Sequence, residues 1–422
     1  MTEQTPLAPL VDRTRRSEYT IETQTKAQTR VWMYDPWCRT PWYTAALTRA
    51  LLRQRMDVRL VCPRYQLEPL YFQDEGLVTR PGPLDISTRG GLGSGRLLKG
   101  ARLAEYLIGT ASLALEATRR PPDILHQQQC VLLEHGYEME LSFLRWCKRR
   151  GTRVIHTVHN LLPHGECDFR AAHFAKLYGL SDALVCHSEQ TVHDLQALFS
   201  VAPERIHVVP HGPLFADGPV RSKEECRAHF GLDLTRQVFL AHGVLRPYKG
   251  TDLLLRAWAK LMARWSGGER PLLLIAGHGN ESEVRALRQE AAALRLDDGV
   301  VRMDLRYSAA QEVPFYFGAA DVLLYPYRKI TTSGALLTGL SYCKPIIASD
   351  LLPFRDYLRQ GHNALLVPAE DVQALEGALD ALCGRGELYQ GLRDGSSKNG
   401  ILPTPWSEIG ARTAAIYAAV LA

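Results

Sequence analysis

The feature that most constrains this chain is an alternation, repeated in two series, of short apolar runs with longer amphipathic segments. Runs at Arg30–Tyr34, Val58–Cys62, Ile124–His126, Arg153–Thr157, Ala183–His187 and Ile206–Val209 read as strands, with helical segments between several of them. Thr44–Arg55 is one such helix, with Leu47, Leu51 and Leu52 at helical spacing. A second series opens at Gln237. Strands at Val238–His242, Leu272–Ala276, Val300–Met303, Val322–Tyr325 and Pro345–Ser349 alternate with helices at Thr251–Arg264, Glu281–Leu294 and Val372–Leu382. Alternation of this kind makes parallel sheets covered on both faces. The expected fold class is α/β, with two Rossmann-like domains.

Pro210–Ser222, with Gly212, Pro213, Gly218 and Pro219, separates the two series. The expected organisation is a polar, aperiodic tail over 1–30, a first domain over 31–212, a linker over 213–222 and a second domain over 223–400. A final helix over 401–422, near Trp406–Leu421, is expected to pack back across the linker. Arg80–Gly100, broken by Pro81, Pro83 and the glycines at 90, 91, 93 and 95, reads as a long loop. Its Gly-Leu-Gly-Ser-Gly string does not make a dinucleotide fingerprint, because no strand runs into it.

Composition excludes several classes. A net charge of +5 fits anionic small molecules or an anionic membrane surface, but no basic run interleaved with aromatics marks a nucleic-acid groove. The nine cysteines form no C-x-x-C pair and mostly sit in apolar segments, which reads as reduced thiols in the cytoplasm. No apolar leader opens the chain, and Tyr106–Leu115, the longest weakly polar stretch, is far short of the roughly 20 residues that span a bilayer. The basic stretch Lys148–Arg153 permits peripheral contact with the inner face of a membrane.

Two segments carry chemistry. In Gly243-Val-Leu-Arg-Pro-Tyr-Lys-Gly250 a strand ends and a short loop sets Arg246 and Lys249 before a helix, with Thr251 as its expected N-cap. Cations at a helix start, at the carboxyl end of a parallel strand, make a diphosphate site, although two solvated cations near a turn would look alike. In the second segment Thr331, Thr332, Ser333 and Gly334 open a helix that runs through Tyr342. Hydroxyls there either bind an anion or simply cap the helix.

These segments resemble the donor site of family 4-like glycosyltransferases of the GT-B fold. Thr332-Ser-Gly-Ala-Leu through Lys344-Pro-Ile-Ile-Ala-Ser349, and Asn363-Ala-Leu-Leu-Val-Pro368, are similar to later stretches of the same domain. The resemblance is specific over 238–383 and looser over 31–212. It implies a hexosyltransferase of polysaccharide or glycoconjugate biosynthesis, with parallel sheets facing a central cleft. The nucleotide sugar, of UDP or GDP type, is a co-substrate, and a glycan or lipid-linked acceptor takes the sugar. No cofactor and no metal are expected, because Arg246 and Lys249 neutralise the diphosphate. Thr331, Thr332, Ser333 and Gly334 join them as donor contacts, and Gly243 and Gly250 give close backbone approach. His159, in His156-Thr-Val-His-Asn160, matches a catalytic histidine that meets the donor sugar. Trp37, Trp42 and His211 are candidates for acceptor or hinge contacts.

One departure stands out. Aligning Lys344-Pro345 with the family's Lys-Pro puts Ile330 and Thr338 where many members carry two glutamates. The alternative reading is therefore a catalytically silent GT-B protein that binds a glycan or supports a partner enzyme. A same-fold nucleotide-sugar epimerase is less favoured, because no dense set of cleft carboxylates is visible.

Overall fold

The structure, a computed structural model, describes residues 28–38, 40–62, 77, 79, 83–84, 86–89, 95–162, 168–215, 221–330, 332–398 and 402–422. Two six-stranded, wholly parallel sheets organise the chain. The first uses β1 (Arg30–Tyr34), β2 (Asp57–Val61), β3 (Ile124–Gln127), β4 (Arg153–Thr157), β5 (Ala183–Cys186) and β6 (Ile206–Val208), in the order β2-β1-β3-β4-β5-β6. The second uses β7 (Val238–His242), β8 (Leu272–Ala276), β9 (Val301–Asp304), β10 (Val322–Tyr325), β11 (Ile346–Ser349) and β12 (Ala364–Val367), in the order β12-β11-β10-β7-β8-β9. Each sheet carries a core on both faces, so its strands read as continuous apolar runs: β5, β8 and β10 are buried at every position.

Strand order decides where a ligand belongs. In open α/β sheets it lies outside the carboxyl ends of the strands where the winding reverses. In the first sheet that point lies between β1 and β3, ahead of Asp35 and Gln128. In the second it lies between β7 and β10, ahead of Gly243 and Pro326.

The Trp406–Leu421 helix packs on the Pro41–Arg53 helix of the first domain, placing Trp406, Ile409, Ile416 and Tyr417 in that domain's core. Gly410 permits this approach, since a Cβ there would lie 2.8 Å from Ala50 Cβ. The base of the second domain is tied by Asp321, which is 2% exposed and precedes β10. Its carboxylate accepts from the fully buried Arg227 (2.6 Å), from Lys223 (2.5 Å) and from the Val238 amide (2.8 Å). Arg227 also caps the carbonyls of Ala319, Asp233, Leu234 and Arg236.

Several expectations need correction. A 24-residue helix, Arg96–Arg119, begins inside the stretch read as loop, and Ile86–Arg89 is a helical turn. Thr251 is not an N-cap. It is the first helical residue, and Gly250 caps with left-handed backbone (φ 65°) and no side-chain bond. The helix after Ser333 ends at Leu340 rather than Tyr342. Much of the tail and the central part of the linker, 216–220, lie outside the described residues. None of the eight described cysteines is in a disulfide.

Candidate functional site

The second-domain half of the site grows from the end of β7. Gly243 turns with φ 134°, and a Cβ there would lie 2.7 Å from Lys249 Nζ and 3.9 Å from Ala335 Cβ. The ammonium, the strand end and the start of the Gly334–Leu340 helix therefore meet at one point. The loop is held by a short 3-10 turn, Pro247–Lys249, whose fixed proline φ suits its first position. Gly250 lies against β10, where a Cβ would meet Pro326 O at 2.0 Å. Arg328 braces the loop from the same side. Its amide donates to Tyr248 O (2.7 Å), and its guanidinium reaches Pro247 O, both Asp252 oxygens (2.9 and 2.7 Å) and Glu370 (3.1 Å).

Gly250→Ala should therefore fail twice, by overlap with Pro326 O and by forcing a side chain into left-handed backbone. We expect a stability loss of roughly 1–3 kcal/mol together with lost donor binding. Melting temperature and nucleoside-diphosphate affinity check this. A variant matching the parent in both would show that the loop does not need the close approach.

The two cations differ. Among the described residues no carboxylate pairs with Lys249; its Nζ stands 5.4 Å from the Tyr327 ring centroid. Burial pushes its ammonium below the ordinary lysine value, and Arg246 acts the same way, against an opposite effect of Tyr248. A desolvated cation with no counter-charge suits an anionic ligand. Arg246 is 45% exposed and already pairs with Glu283 through both carboxylate oxygens (2.9 and 2.7 Å).

Ser333 accepts from the Leu336 amide (3.2 Å), so its hydroxyl caps the helix. Gly334 faces the first domain, where a Cβ would meet Leu214 at 3.2 Å and His211 Cε1 at 3.6 Å. Thr332 is partly buried beside Ser333, and Thr331 lies outside the described residues. Ile330 packs on the core below. Thr338 is 2% exposed and donates to Gly334 O (2.8 Å), so its hydroxyl is spent within its own helix.

The first-domain half centres on Tyr43. Its ring lies 4.8 Å from that of His159, 5.2 Å from His187, 4.9 Å from His211 and 5.4 Å from Trp406. The histidines follow β4, β5 and β6, so three adjacent strand ends deliver three imidazoles to one place. His159 Nε2–H donates to Gln128 Oε1 (3.1 Å), beyond the end of β3. His187 donates through Nδ1 to Val209 O (3.0 Å), and His211 through Nδ1 to Gly212 O (2.6 Å). That fixes Nε2 of each as an acceptor in the neutral ring. Burial pushes His187 down to about 4 and His211 to about 3, and holds His159 well below its ordinary value. Among the described residues no group of histidines, cysteines and carboxylates could hold a metal ion.

The aromatic loop divides. Trp37 stacks on Tyr106 (4.9 Å between centroids) and donates to Glu140 (2.9 Å), which commits it to packing within the first domain. Trp42 meets Phe215 edge-on at 5.2 Å and stacks on Tyr307 of the second domain at 6.4 Å, so it spans the two domains. Sequence reasoning missed Arg328, Glu283, Tyr43 and His187. The Asn280-x-x-Glu283 capping box was visible, but its reach to Arg246 was not.

Two family models match the chain. The one described as Glycosyltransferase Family 4 covers 41–212, and the one described as Glycosyl transferases group 1 covers 236–385. The D-inositol 3-phosphate glycosyltransferase of Jonesia denitrificans is 26% identical over 308 residues, 68% of this chain and 70% of the relative. That of Acidothermus cellulolyticus is 28% identical over 300 residues, 67% of this chain and 65% of the relative. The chain thus spans about two thirds of these relatives' length. The Anabaena protein HepE, solved in complex with UDP and glucose, superposes with a TM-score of 0.71 at 13% identity, over 93% of this chain and all of that one.

Proposed function

The chain belongs to the family 4-like glycosyltransferases of the GT-B fold, and on that premise we propose that it moves a hexose from a UDP- or GDP-type sugar to a glycan or lipid-linked acceptor, without a metal ion in the donor site. The observation that carries this reading is the Lys249 ammonium, paired with no carboxylate among the described residues and held against Gly243 and the start of the Gly334–Leu340 helix at the β7/β10 switch point. Negative charge grows on the diphosphate as its bond to the sugar breaks. A fixed cation there stabilises the transition state more than the ground state. Arg246 adds a second cation when it turns from Glu283 toward the ligand. The names of the relatives above and the UDP and glucose held by HepE support a nucleotide-sugar donor.

His159 meets the sugar in this reading, because it projects from the opposite domain near Gln128. Neutral imidazole can accept from a sugar hydroxyl or move a proton during transfer. His159→Ala should leave nucleoside-diphosphate affinity nearly unchanged while lowering transfer by about a hundredfold. Calorimetry with UDP and GDP, beside a transfer assay, separates the two effects. Collapse of bare nucleotide affinity, with the fold intact, would put His159 in the nucleotide site and overturn this division of labour.

Transfer requires the reacting atoms within about 3–3.5 Å of groups on both domains, so ligand binding should favour closure. A second reading, a catalytically silent GT-B protein, draws on one observation: Thr338 offers no carboxylate and spends its hydroxyl on Gly334 O. Donor hydrolysis without acceptor distinguishes them. Nucleotide binding with no hydrolysis and no transfer under any donor would favour the silent protein.

A further inference from the structure

We infer that the outward face of the Arg96–Arg119 helix is a docking surface for an anionic lipid membrane. The helix is 24 residues long, roughly 36 Å at 1.5 Å per residue. It packs inward through Glu105, Tyr106, Leu113 and Ala117. Its opposite face presents Leu97 (74% exposed), Leu103, Leu107, Ile108 and Leu115 (59%) to solvent. Isolated exposed leucines are ordinary, but five along one face of one helix form a contiguous apolar stripe.

The charges are sorted around that stripe. Both acidic residues of the helix are turned away from it. Glu105 accepts from the amides of Ile86 (2.5 Å) and Ser87 (2.7 Å), and Glu116 pairs with Arg59 (3.0 Å). The exposed cations stand toward the two ends, Arg96, Lys99 and Arg102 in the first two turns and Arg119 and Arg120 at the last. The neighbouring Met139–Lys148 helix packs on this one and adds exposed Tyr137 and Met139. Glu138, between those two, is occupied by Lys176 and Arg145. An apolar stripe flanked by cations, with its carboxylates withdrawn, suits a helix lying in the plane of an anionic bilayer surface.

Charge selects this occupant over a second copy. Pairing two such helices, parallel or antiparallel, brings cationic ends onto cationic ends. The basic stretch Lys148–Arg153 adds little, since Lys148 is committed to Leu180 O (2.7 Å) and Asp182 (2.9 Å), and Arg150 stacks on Trp146. Among the described residues no helix is long and apolar enough to cross a membrane, so the attachment is peripheral.

Vesicle sedimentation of the full chain tests this without any donor sugar, so its failure leaves the transferase reading untouched. Wild-type protein should bind vesicles of phosphatidylcholine with about one third phosphatidylglycerol at least tenfold better than phosphatidylcholine alone, less so at high salt. Leu103→Gln/Leu107→Gln/Ile108→Gln should lose about tenfold or more while keeping a cooperative melting transition, the three side chains being 39–43% exposed. Arg96→Glu/Lys99→Glu should lose at least about fivefold per cation and flatten the salt dependence. The inference is overturned if wild type stays in the supernatant, or if the triple variant, still folded, binds as wild type does. It is equally overturned if light scattering shows a wild-type dimer that the triple variant abolishes, since the stripe would then be a protein interface.

Discussion

Replacing Lys249 with Ala is expected to lower sugar transfer by about 10²–10³, the usual effect of losing one fixed group that stabilises developing charge, or about 3–4 kcal/mol. The loss should fall on kcat as much as on kcat/KM, because the charge on the leaving diphosphate is greatest in the transition state. Arg246→Ala should cost less. Arg246 is half-exposed and shares its guanidinium with Glu283, whereas Lys249 is desolvated and has no carboxylate partner among the described residues. Lys249→Arg should not restore activity, since the space beside Gly243 is already filled by the ammonium. The measurement is steady-state kinetics with the preferred donor, alongside calorimetry with the nucleoside diphosphate. Near wild-type turnover in a folded Lys249→Ala protein would remove the diphosphate assignment and with it the main support for the donor site.

Much of the second domain is legible in the sequence because its strands are buried on both faces. Leu272–Ala276 and Val322–Tyr325 are continuous apolar runs, and the periodicity switches visibly at Thr251–Arg264. β12 was harder to see, being four residues between Asn363 and Pro368. The Arg96–Arg119 helix was concealed for a physical reason: leucines on its outward face blur the one-sided pattern that marks a surface helix, and the glycines at 90, 91, 93 and 95 just ahead of it suggested loop. Long-range polar pairing was out of reach. Nothing local couples Trp37 to Glu140, 103 residues away, or Arg246 to Glu283, 37 residues away. The resemblance located Thr338 at a place usually held by a carboxylate. Only the folded helix turns its hydroxyl back onto Gly334 O.

Mild acid should destabilise this protein well above the pH at which carboxylates usually protonate. His126, His156, His187 and His211 are all buried, and burial is the leading cause that pushes them down, to about 3, 4, 4 and 3 respectively. Their folded values lie below the unfolded value near 6.5. Between about pH 6.5 and 4 the unfolded chain therefore binds more protons, and stability falls as pH falls through that window. A histidine held at 4 loses about 2 kcal/mol by pH 5, and four such groups approach about 8 kcal/mol, comparable to the whole stability of a domain. One group opposes them. Burial pushes Glu140 up to about 7, so its folded form holds a proton that the unfolded form has lost above about 4.5, and acidification from pH 7 to 5 returns about 2 kcal/mol. Four histidines outweigh one glutamate, so the net slope keeps the sign of the histidines. Asp321 does not confuse the window. Burial raises its carboxyl, but Lys223 and Arg227 outweigh that and hold it below the ordinary aspartate value, so its contribution disappears only at lower pH. Melting temperatures between pH 7.5 and 5.0 should fall steadily, and the fall should be shallower in His187→Gln, which keeps a donor for Val209 O but cannot take up a proton. A melting temperature that stays level or rises on acidification would mean that these imidazoles are already charged in the folded protein, and the neutral cluster around Tyr43 would have to be abandoned.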